Sequence, residues 1–319
     1  MTGQFVISLD FKLLWGVRDH ADRDSYGANV LGAREAVPRM LDLFAAHGIR
    51  ATWATVGFLF CESKDELIAS LPQERPRYDD PALSNYTYLD EVGANEAADP
   101  FYFAPSLIDR IAQTPGQEIG THTLSHFYCL EDGPTLADFE ADIAVAQTLA
   151  ARRGIALKSI VFPRNQFTPA HIGACARAGI ESYRGNPAGW AYRAGKGSDQ
   201  TLPRRALRLA DAYTGLLGAQ TFPAQAVPSP GLPVNVPASR FLRPCAGRLA
   251  AFHPRHLATI ELGMTLAART GTGYHLWWHP HNFGRELEAN VAGLERIVRH
   301  FGYLRDAQGF TSATMGELV

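Results

Sequence analysis

Four short segments place side chains capable of acid–base or metal chemistry directly after apolar runs. Neutral imidazoles are the commonest metal ligands, and hydrolytic zinc sites usually combine three protein ligands with one open position. Two histidines spaced as HxxxH can face one point from a single helical turn, which favours a shared metal. The segments are "SLDF" with Asp10, "THTLSH" with His122 and His126, "FPRN" with Arg164, and "LWWHPHN" with His279 and His281.

Taken alone, each of these residues has an ordinary structural role. An aspartate at a strand end commonly caps a helix or forms a turn, and a lone histidine is more often a satisfied core residue than a ligand. It is the combination, with every residue at the end of an apolar run, that indicates a metal-assisted hydrolase site.

The elements that must position these residues alternate between strand-like runs and amphipathic helical patterns. This alternation predicts parallel strands with helices outside, in a barrel or a doubly wound sheet, and barrel chemistry lies where strands end. No GxGxxG or GxxxxGK pattern follows a strand, so a phosphate-cradling nucleotide fold is disfavoured. Strands are predicted at 5–10, 49–60, 118–126, 158–165, 180–185 and 273–284, and helices at 32–48, 105–117, 135–154, 168–179, 254–271 and 287–302.

Two stretches break the alternation. Residues 61–105 are rich in Pro, Asp, Asn and Tyr, and residues 186–250 are rich in Gly, Pro and Arg, with 227–239 expected to be loop. The first lacks enough aliphatic residues for a core of its own, and the second has a poor pattern. We therefore predict one catalytic domain over 1–319 with insertions at about 61–105 and 186–250, the first of them lid-like.

Composition excludes several classes of function. The chain has 319 residues, 46% of them hydrophobic and 19% charged, with a formal net charge of −2. This charge gives no global attraction to nucleic acid or to an anionic membrane. The four cysteines are scattered, as expected for reduced thiols. Without a signal-peptide pattern or a membrane-span pattern, we expect a soluble cytoplasmic protein, and the sequence leaves its oligomeric state open.

In motif order, the four segments resemble the polysaccharide deacetylases, also called NodB-homology or carbohydrate esterase family 4 proteins. The resemblance covers most of the chain, and "THTLSH" is its most specific part. It implies an α/β fold, a distorted (β/α)7 barrel of the NodB-homology type. It also implies the following roles: His122 and His126 hold a divalent metal, Asp10 is the general base, Arg164 orients and ionises Asp10, and His279 is the general acid. The implied metal is Zn, with Co or Ni as alternatives.

Lys12 departs from that pattern. The family's aspartate motif carries a second acid as third metal ligand, whereas this chain has Phe11 and Lys12. An ammonium has no lone pair for a metal and repels a dication. Three interpretations stay open: Asp10 itself, or Asp19 or Asp22, completes the metal site; the protein is metal-independent, with Lys12 as the electrostatic substitute; or Lys12 points away from a weak or inactive site.

The function predicted is hydrolysis of an N-acyl group, acetyl or formyl, from an amino sugar or sugar conjugate in glycan biosynthesis. A small-molecule or lipid-linked sugar is the expected substrate, with Trp278, His281 and Lys12 as substrate-binding candidates. The basic run of Arg204, Arg205 and Arg208 is expected to be a solvated helix face, although it would suit a diphosphate-linked sugar. The alternatives are a metal-independent C–N hydrolase of a non-sugar amide or ureide, as in allantoinase, and a catalytically impaired glycan-binding protein.

Overall fold

One curved sheet, flanked by helices, carries the site. The computed structural model describes residues 2–224 and 229–319. The strands are β1 Gln4–Phe11, β2 Ala51–Thr55, β3 Gln117–Thr121, β4 Ser159–Ile160, β5 Ser182–Tyr183, β6 Phe222–Pro223, β7 Val234–Asn235, β8 Arg240–Phe241, β9 Thr272–Trp278 and β10 Thr311–Ala313. The helices are α1 Arg23–His47, α2 Lys64–Ala69, α3 Pro105–Gln113, α4 Leu136–Arg152, α5 Pro169–Arg177, α6 Leu202–Thr214, α7 His253–Thr270 and α8 Leu287–Gln308.

The sheet runs in the order β6-β9-β1-β2-β3-β4-β5-β7, with β10 added to β1 and β8 added to β9. Every pairing is parallel except the one between β6 and β9. Consecutive parallel strands joined by helices curl the sheet into a partial barrel. The predicted α/β class and the distorted barrel are confirmed.

The central strand β1 shows why the first apolar run folds as it does. All its residues except Gln4 are buried, as expected for a parallel strand covered on both faces. Its register with β2 aligns Asp10 with Ala54, and its register with β9 aligns Leu9 with Trp278. The carboxyl ends of these strands therefore meet at one edge of the sheet.

Helix α1 begins nine residues earlier than predicted. Asp22 caps it by accepting the Ser25 backbone N–H at 2.9 Å, and the Ser25 hydroxyl contacts the Asp22 backbone N–H in return. The sequence did not predict this earlier start because the first turns of the helix are polar and show no apolar stripe. The predicted end at Gly48 is confirmed, and this glycine adopts the left-handed conformation with a φ of 67°.

The two insertions contribute to the same structure as the barrel. The first carries α2 and buries Leu67, Tyr102 and Phe103 in the main core. The second carries α6 and three two-residue strands, one of which, β7, lies in the stretch 227–239 that we expected to be loop. Pairing with β5 accounts for this strand. Part of that predicted loop, 227–228, falls outside the described residues.

Among the residues described, none of the helices combines the length and apolar character that crossing a bilayer requires.

Candidate active site

Asp10 and Arg184 form the centre of the site. Arg184 follows β5 directly and donates to both oxygens of Asp10, with Nη1 at 2.7 Å from Oδ1 and Nη2 at 3.1 Å from Oδ2. The guanidinium also donates to the Ser8 hydroxyl and to the Asn165 side-chain oxygen, both at 3.0 Å, and lies 4.1 Å from the Trp277 ring centroid. Such a bidentate pair fixes the direction of the carboxylate.

The Asp10 carboxylate is held ionised. Burial by itself would raise its pKa, but the positive charge of Arg184, followed by contributions from His122 and His279, lowers the pKa well below its usual value. Asp10 Oδ2 lies 3.4 Å from Nε2 of His279 and 3.9 Å from Nε2 of His122. One buried anion therefore faces two imidazoles and a guanidinium.

The predicted contact between Arg164 and Asp10 is wrong. Arg164 instead pairs with Asp19 and, at 3.0 Å, with Glu131, and it stacks 4.2 Å over the Tyr128 ring. The physical reason is the register of the short strands β4 and β5. Ile160 and Tyr183, the last residues of the two strands, are aligned, so Arg184 stands directly at the strand ends whereas Arg164 lies farther on, in the turn Pro163–Asn165.

Arg184 was missed, although a signal for it existed. The segment "IESYRG" was predicted as a short strand, and its arginine stands immediately after the apolar part, where the other site residues stand. Ionic side chains at that position are unusual unless they are paired.

His122 and His126 come together, but not on a helical turn. The segment after β3 is irregular, and Thr123 and His126 adopt positive φ values of 64° and 59°. Asp142 of α4 stabilises this conformation by accepting the backbone N–H groups of Leu124, at 2.5 Å, and Ser125, at 3.2 Å. Asp142 is a further residue that the spacing alone could not indicate.

The two imidazoles have unused nitrogen atoms. His122 donates from Nδ1 to the Val161 carbonyl oxygen at 2.7 Å, which leaves a lone pair on Nε2. Within the described residues, that Nε2 and both ring nitrogens of His126 are buried without a hydrogen-bond partner. The ring centroids are 4.9 Å apart. Burial lowers the pKa of His122 to about 3 and that of His126 well below its usual value, so both are neutral.

Lys12 points into the site. Its stem crosses Gly16 so closely that a Cβ there would lie 2.0 Å from Lys12 Cδ, and the residue is only 6% exposed. Burial lowers the pKa of Lys12 to about 8, against the attraction of Asp10 and Asp19. After burial, the charge of Lys12 is the largest influence that lowers the pKa of His126 and of His279. The ammonium therefore lies among the residues predicted to hold the metal.

The donor set does not fit a divalent metal with three protein ligands. Two imidazoles are available, but both oxygens of Asp10 already accept from Arg184. The alternative third ligands are occupied as well, because Asp19 pairs with Arg164 and Asp22 caps α1. Within 2–224 and 229–319, no group of three or more His, Cys, Asp or Glu side chains is arranged to hold a metal ion. A nearby ammonium adds repulsion to a site already short of donors.

His279 is the member of the site that reaches solvent. Its side chain is 23% exposed, compared with 5% for Asp10 and 0% for His122. Burial, followed by the charge of Lys12, lowers the pKa of His279 to about 4, so the ring is neutral near pH 7. His281 is 2% exposed and packs edge-on against Tyr26, so it supports the site from within rather than contacting a substrate.

The prediction that Trp278 binds substrate is wrong. Trp278 has no exposed surface and stacks on Phe283 in the core. Side chains alternate along β9, so Trp277 is the tryptophan that faces the cavity, next to Phe241, with ring centroids 4.6 Å apart.

A cavity of about 710 Å³ opens beside His279 and Trp277. It lies between the barrel mouth and the second insertion, and its wall includes residues from five separate segments of the chain. The charged and aromatic residues that line it are Asp19, His20, Arg164, Tyr192, Arg193, Arg205, Arg208, Arg240, Phe241, Arg243, Trp277 and His279.

Comparison with known proteins shows the fold alone. No protein-family model and no curated protein matches this chain. Among solved structures, the chain is similar to a putative polysaccharide deacetylase from Mycobacterium smegmatis, 12% identical over 100% of this chain and 90% of the other, with a TM-score of 0.59. A probable polysaccharide deacetylase from Pseudomonas aeruginosa PAO1 is 11% identical over 99% and 90%, with a TM-score of 0.59. The Puue allantoinase is 11% identical over 99% and 89%, with a TM-score of 0.59.

Proposed function

We propose that this chain, which has the fold of the polysaccharide deacetylases, is a hydrolase that cleaves a linear acylamide C–N bond. The observation that carries the proposal is the Asp10 carboxylate, fixed by Arg184 and lying 3.4 Å from Nε2 of His279 at the edge of the cavity. An ionised carboxylate behind a neutral, solvent-reaching imidazole is an arrangement suited to moving protons to and from a substrate.

We assign the proton transfer to His279. Asp10 next to Nε2 favours the tautomer with its proton on that atom, which leaves Nδ1 as the acceptor. The imidazole takes a proton from water while the water oxygen bonds to the acyl carbon. It then delivers that proton to the nitrogen as the C–N bond breaks, giving a carboxylic acid and an amine. Asp10 stabilises the imidazolium that forms between the two steps. This differs from the role as general base that the resemblance gives to Asp10.

Lys12 supplies the positive charge that amide hydrolysis requires. Negative charge develops on the acyl oxygen during attack, and a preorganised cation in a buried site stabilises it strongly. The Lys12 ammonium predominates at neutral pH, because its pKa is about 8. The divalent metal expected from the resemblance stays a prediction; the poor donor set argues for the form of the enzyme that uses Lys12 instead.

We further propose an N-acyl amino sugar, acetylated or formylated, as the substrate, with glycan biosynthesis as the setting. The aromatic wall formed by Trp277 and Phe241 supports this choice, because sugar rings pack against such surfaces. A second candidate is a metal-independent C–N hydrolase acting on a ureide. It is favoured by the structural similarity to an allantoinase, and Lys12 would serve it as it serves the first candidate.

One assay tests the proposal. The purified protein is incubated with N-acetylated and N-formylated amino sugars and with a ureide, each with and without a chelator, and the released amine or ammonia is measured. We expect acyl-sugar cleavage that persists in chelator and is lost in Asp10→Asn and His279→Ala. Cleavage of the ureide alone would favour the second candidate. No cleavage of any substrate would indicate an impaired, binding-only protein. Loss of activity in chelator would support a metal-dependent enzyme instead.

A further inference from the structure

The wall of the cavity beside His279 is strongly cationic, although the chain as a whole carries a formal net charge of −2. Among the described residues, six arginines line the cavity and a single carboxylate does, that of Asp19. The six come from the residues after β4, the second insertion, α6, and the segment at and after β8. They are Arg164, Arg193, Arg205, Arg208, Arg240 and Arg243.

Two of the six arginines are neutralised within the protein. Arg164 pairs with Asp19 and Glu131, and Arg240 donates to Asp211 at 3.3 Å. These pairs explain why both side chains keep a fixed place in the wall. They leave little positive charge for a ligand.

The other four arginines have no ion pair within the described part of the chain. Arg208 donates only to the backbone carbonyl of Ala191, at 3.0 Å. Burial is the largest cause that lowers the pKa of Arg208, and the nearby charges of Arg204 and Arg205 lower it further. Guanidinium groups gathered around a concave surface create a positive potential that attracts an anionic ligand.

We infer that the substrate of the proposed hydrolase carries a phosphate or diphosphate group, which binds in this cavity to Arg193, Arg205, Arg208 and Arg243 while the acylamide lies at His279. The inference rests on the proposed function and adds the substrate class. Guanidinium groups match phosphate oxygens in bidentate geometry. A cavity of about 710 Å³ lies within the ~300–1,000 Å³ of small-molecule sites and leaves room beyond the acylamide itself.

Arg205 and Arg208 were expected to form a solvated face of α6. Both lie in the cavity wall, where Arg208 is half-buried and Arg205 is exposed as expected, whereas Arg204 donates to the backbone carbonyls of Asp199 and Arg193. On α6, Arg204 therefore stabilises the local backbone, whereas Arg205 and Arg208 can contact a ligand in the cavity.

Binding and turnover are measured separately. Calorimetry with inorganic pyrophosphate on the full chain should show binding that weakens about tenfold or more in Arg205→Gln and in Arg243→Gln, since a charged hydrogen bond contributes this much. Arg299→Gln, which removes an exposed pair on α8, is the matched control and should bind as the wild type does. Circular dichroism confirms that each variant is folded.

In turnover, N-acetylglucosamine is compared with its 1-phosphate, with a nucleoside diphosphate-linked form and with a polyprenyl diphosphate-linked form in detergent. We expect kcat/KM to be at least about tenfold higher for one or more phosphorylated forms, and this advantage to disappear in Arg205→Gln. The form preferred identifies the natural source of the phosphate.

Failure of this inference is distinct from failure of the proposed function. Equal cleavage of neutral and phosphorylated sugars, with no effect of either arginine variant, would overturn the phosphate site and leave the hydrolase standing. A preference for an acyl sugar bearing a carboxylate over its phosphate would overturn it as well. Arginine-dependent pyrophosphate binding without any turnover would support the site while contradicting the hydrolase.

Discussion

Arg184 grips both oxygens of Asp10 from the far side of the curled sheet, at 2.7 and 3.1 Å. The two residues come from β1 and from the position after β5, which lie four strands apart in the sheet order. Only curvature of the sheet brings such distant strand ends into contact. The side chains of Arg184 and Asp10 are 1% and 5% exposed, so each depends on the other for compensation of a buried charge.

Removing the partner of a buried charge should affect both activity and stability. We expect Arg184→Gln to lower kcat by about two orders of magnitude or more, because Asp10 is released and no longer orients His279. The free energy of unfolding should fall by about 3–5 kcal/mol, the usual result when a buried pair loses one member. Steady-state kinetics and urea unfolding measure the two effects.

Arg164→Gln is the matched control for this change. It removes an arginine that is one-third exposed and that pairs with Asp19 and Glu131, so kcat should change little. A collapse of kcat in Arg164→Gln with near-normal turnover in Arg184→Gln would contradict the geometry and favour the role that the resemblance gave to Arg164.

The parts of the fold and site that could be predicted from the sequence are those that depend on the pattern of neighbouring residues. The alternation of apolar runs with helical patterns indicated the barrel. The position of Asp10, His122 and His279 directly after such runs indicated that they lie at the barrel mouth. The choice of arginine depended on something non-local, the register between two-residue strands, in which Ile160 faces Tyr183. Segments as short as "FPRN" and "SYRG" each indicate an arginine near a strand end, but they do not decide which of the two reaches Asp10.

The conformation of the loop after β3 also could not be predicted from its neighbouring residues in the sequence. Its positive φ angles at Thr123 and His126 depend on hydrogen bonds to Asp142, which lies on α4. Likewise, the direction of Lys12 follows from the close approach of its stem to Gly16. Lys12 is recognisable from the sequence as the departure from the family's motif, but tertiary packing decides where its ammonium lies.

Replacing Lys12 with an acid should turn the two-histidine donor set into a metal site. In Lys12→Glu the two imidazoles of His122 and His126 gain a carboxylate in place of a repelling ammonium, which gives a three-ligand zinc site. We expect elemental analysis after incubation with Zn²⁺ and desalting to find little metal in the wild type and close to one equivalent in Lys12→Glu.

Lys12→Met controls for the loss of positive charge without a new ligand. It should bind no more zinc than the wild type and should lose activity, because the oxyanion loses its stabilising cation. One tightly held equivalent of zinc in the wild type, together with inactivation by chelator, would contradict this assignment and support the metal site predicted from the resemblance.

The paired tryptophans of β9 should respond oppositely to truncation. Trp278→Ala should lower the free energy of unfolding by about 3–5 kcal/mol, the usual cost of deleting a buried aromatic residue. Trp277→Ala should raise KM for an acyl sugar with a smaller loss of stability, because its ring borders the cavity. Thermal unfolding and kinetics compare them. A larger KM effect in Trp278→Ala would return the substrate-binding role to that residue.

Asp142 should give the protein a characteristic dependence of stability on pH. Burial raises its pKa to about 7, against hydrogen bonds from Ser125 and Leu124, whereas an unfolded aspartate has a pKa of about 3.9. Because the folded pKa is the higher one, the native state holds this proton more tightly than the unfolded state does. The resulting stabilisation is fully present below about pH 4 and is lost as pH rises through about 7.

Asp142→Asn removes the titration while keeping an acceptor for the loop that carries His126. In the difference in free energy of unfolding between wild type and Asp142→Asn, the contributions of the other titrating groups cancel. We expect this difference to move against the wild type by up to about 1.4 kcal/mol per pH unit between pH 5 and 7, the limit for one proton, and to level off above about pH 8. Urea unfolding at half-unit steps of pH measures it. A difference that is flat over this range, or that favours the wild type as pH rises, would mean that Asp142 is ionised throughout and anchors the loop as a carboxylate.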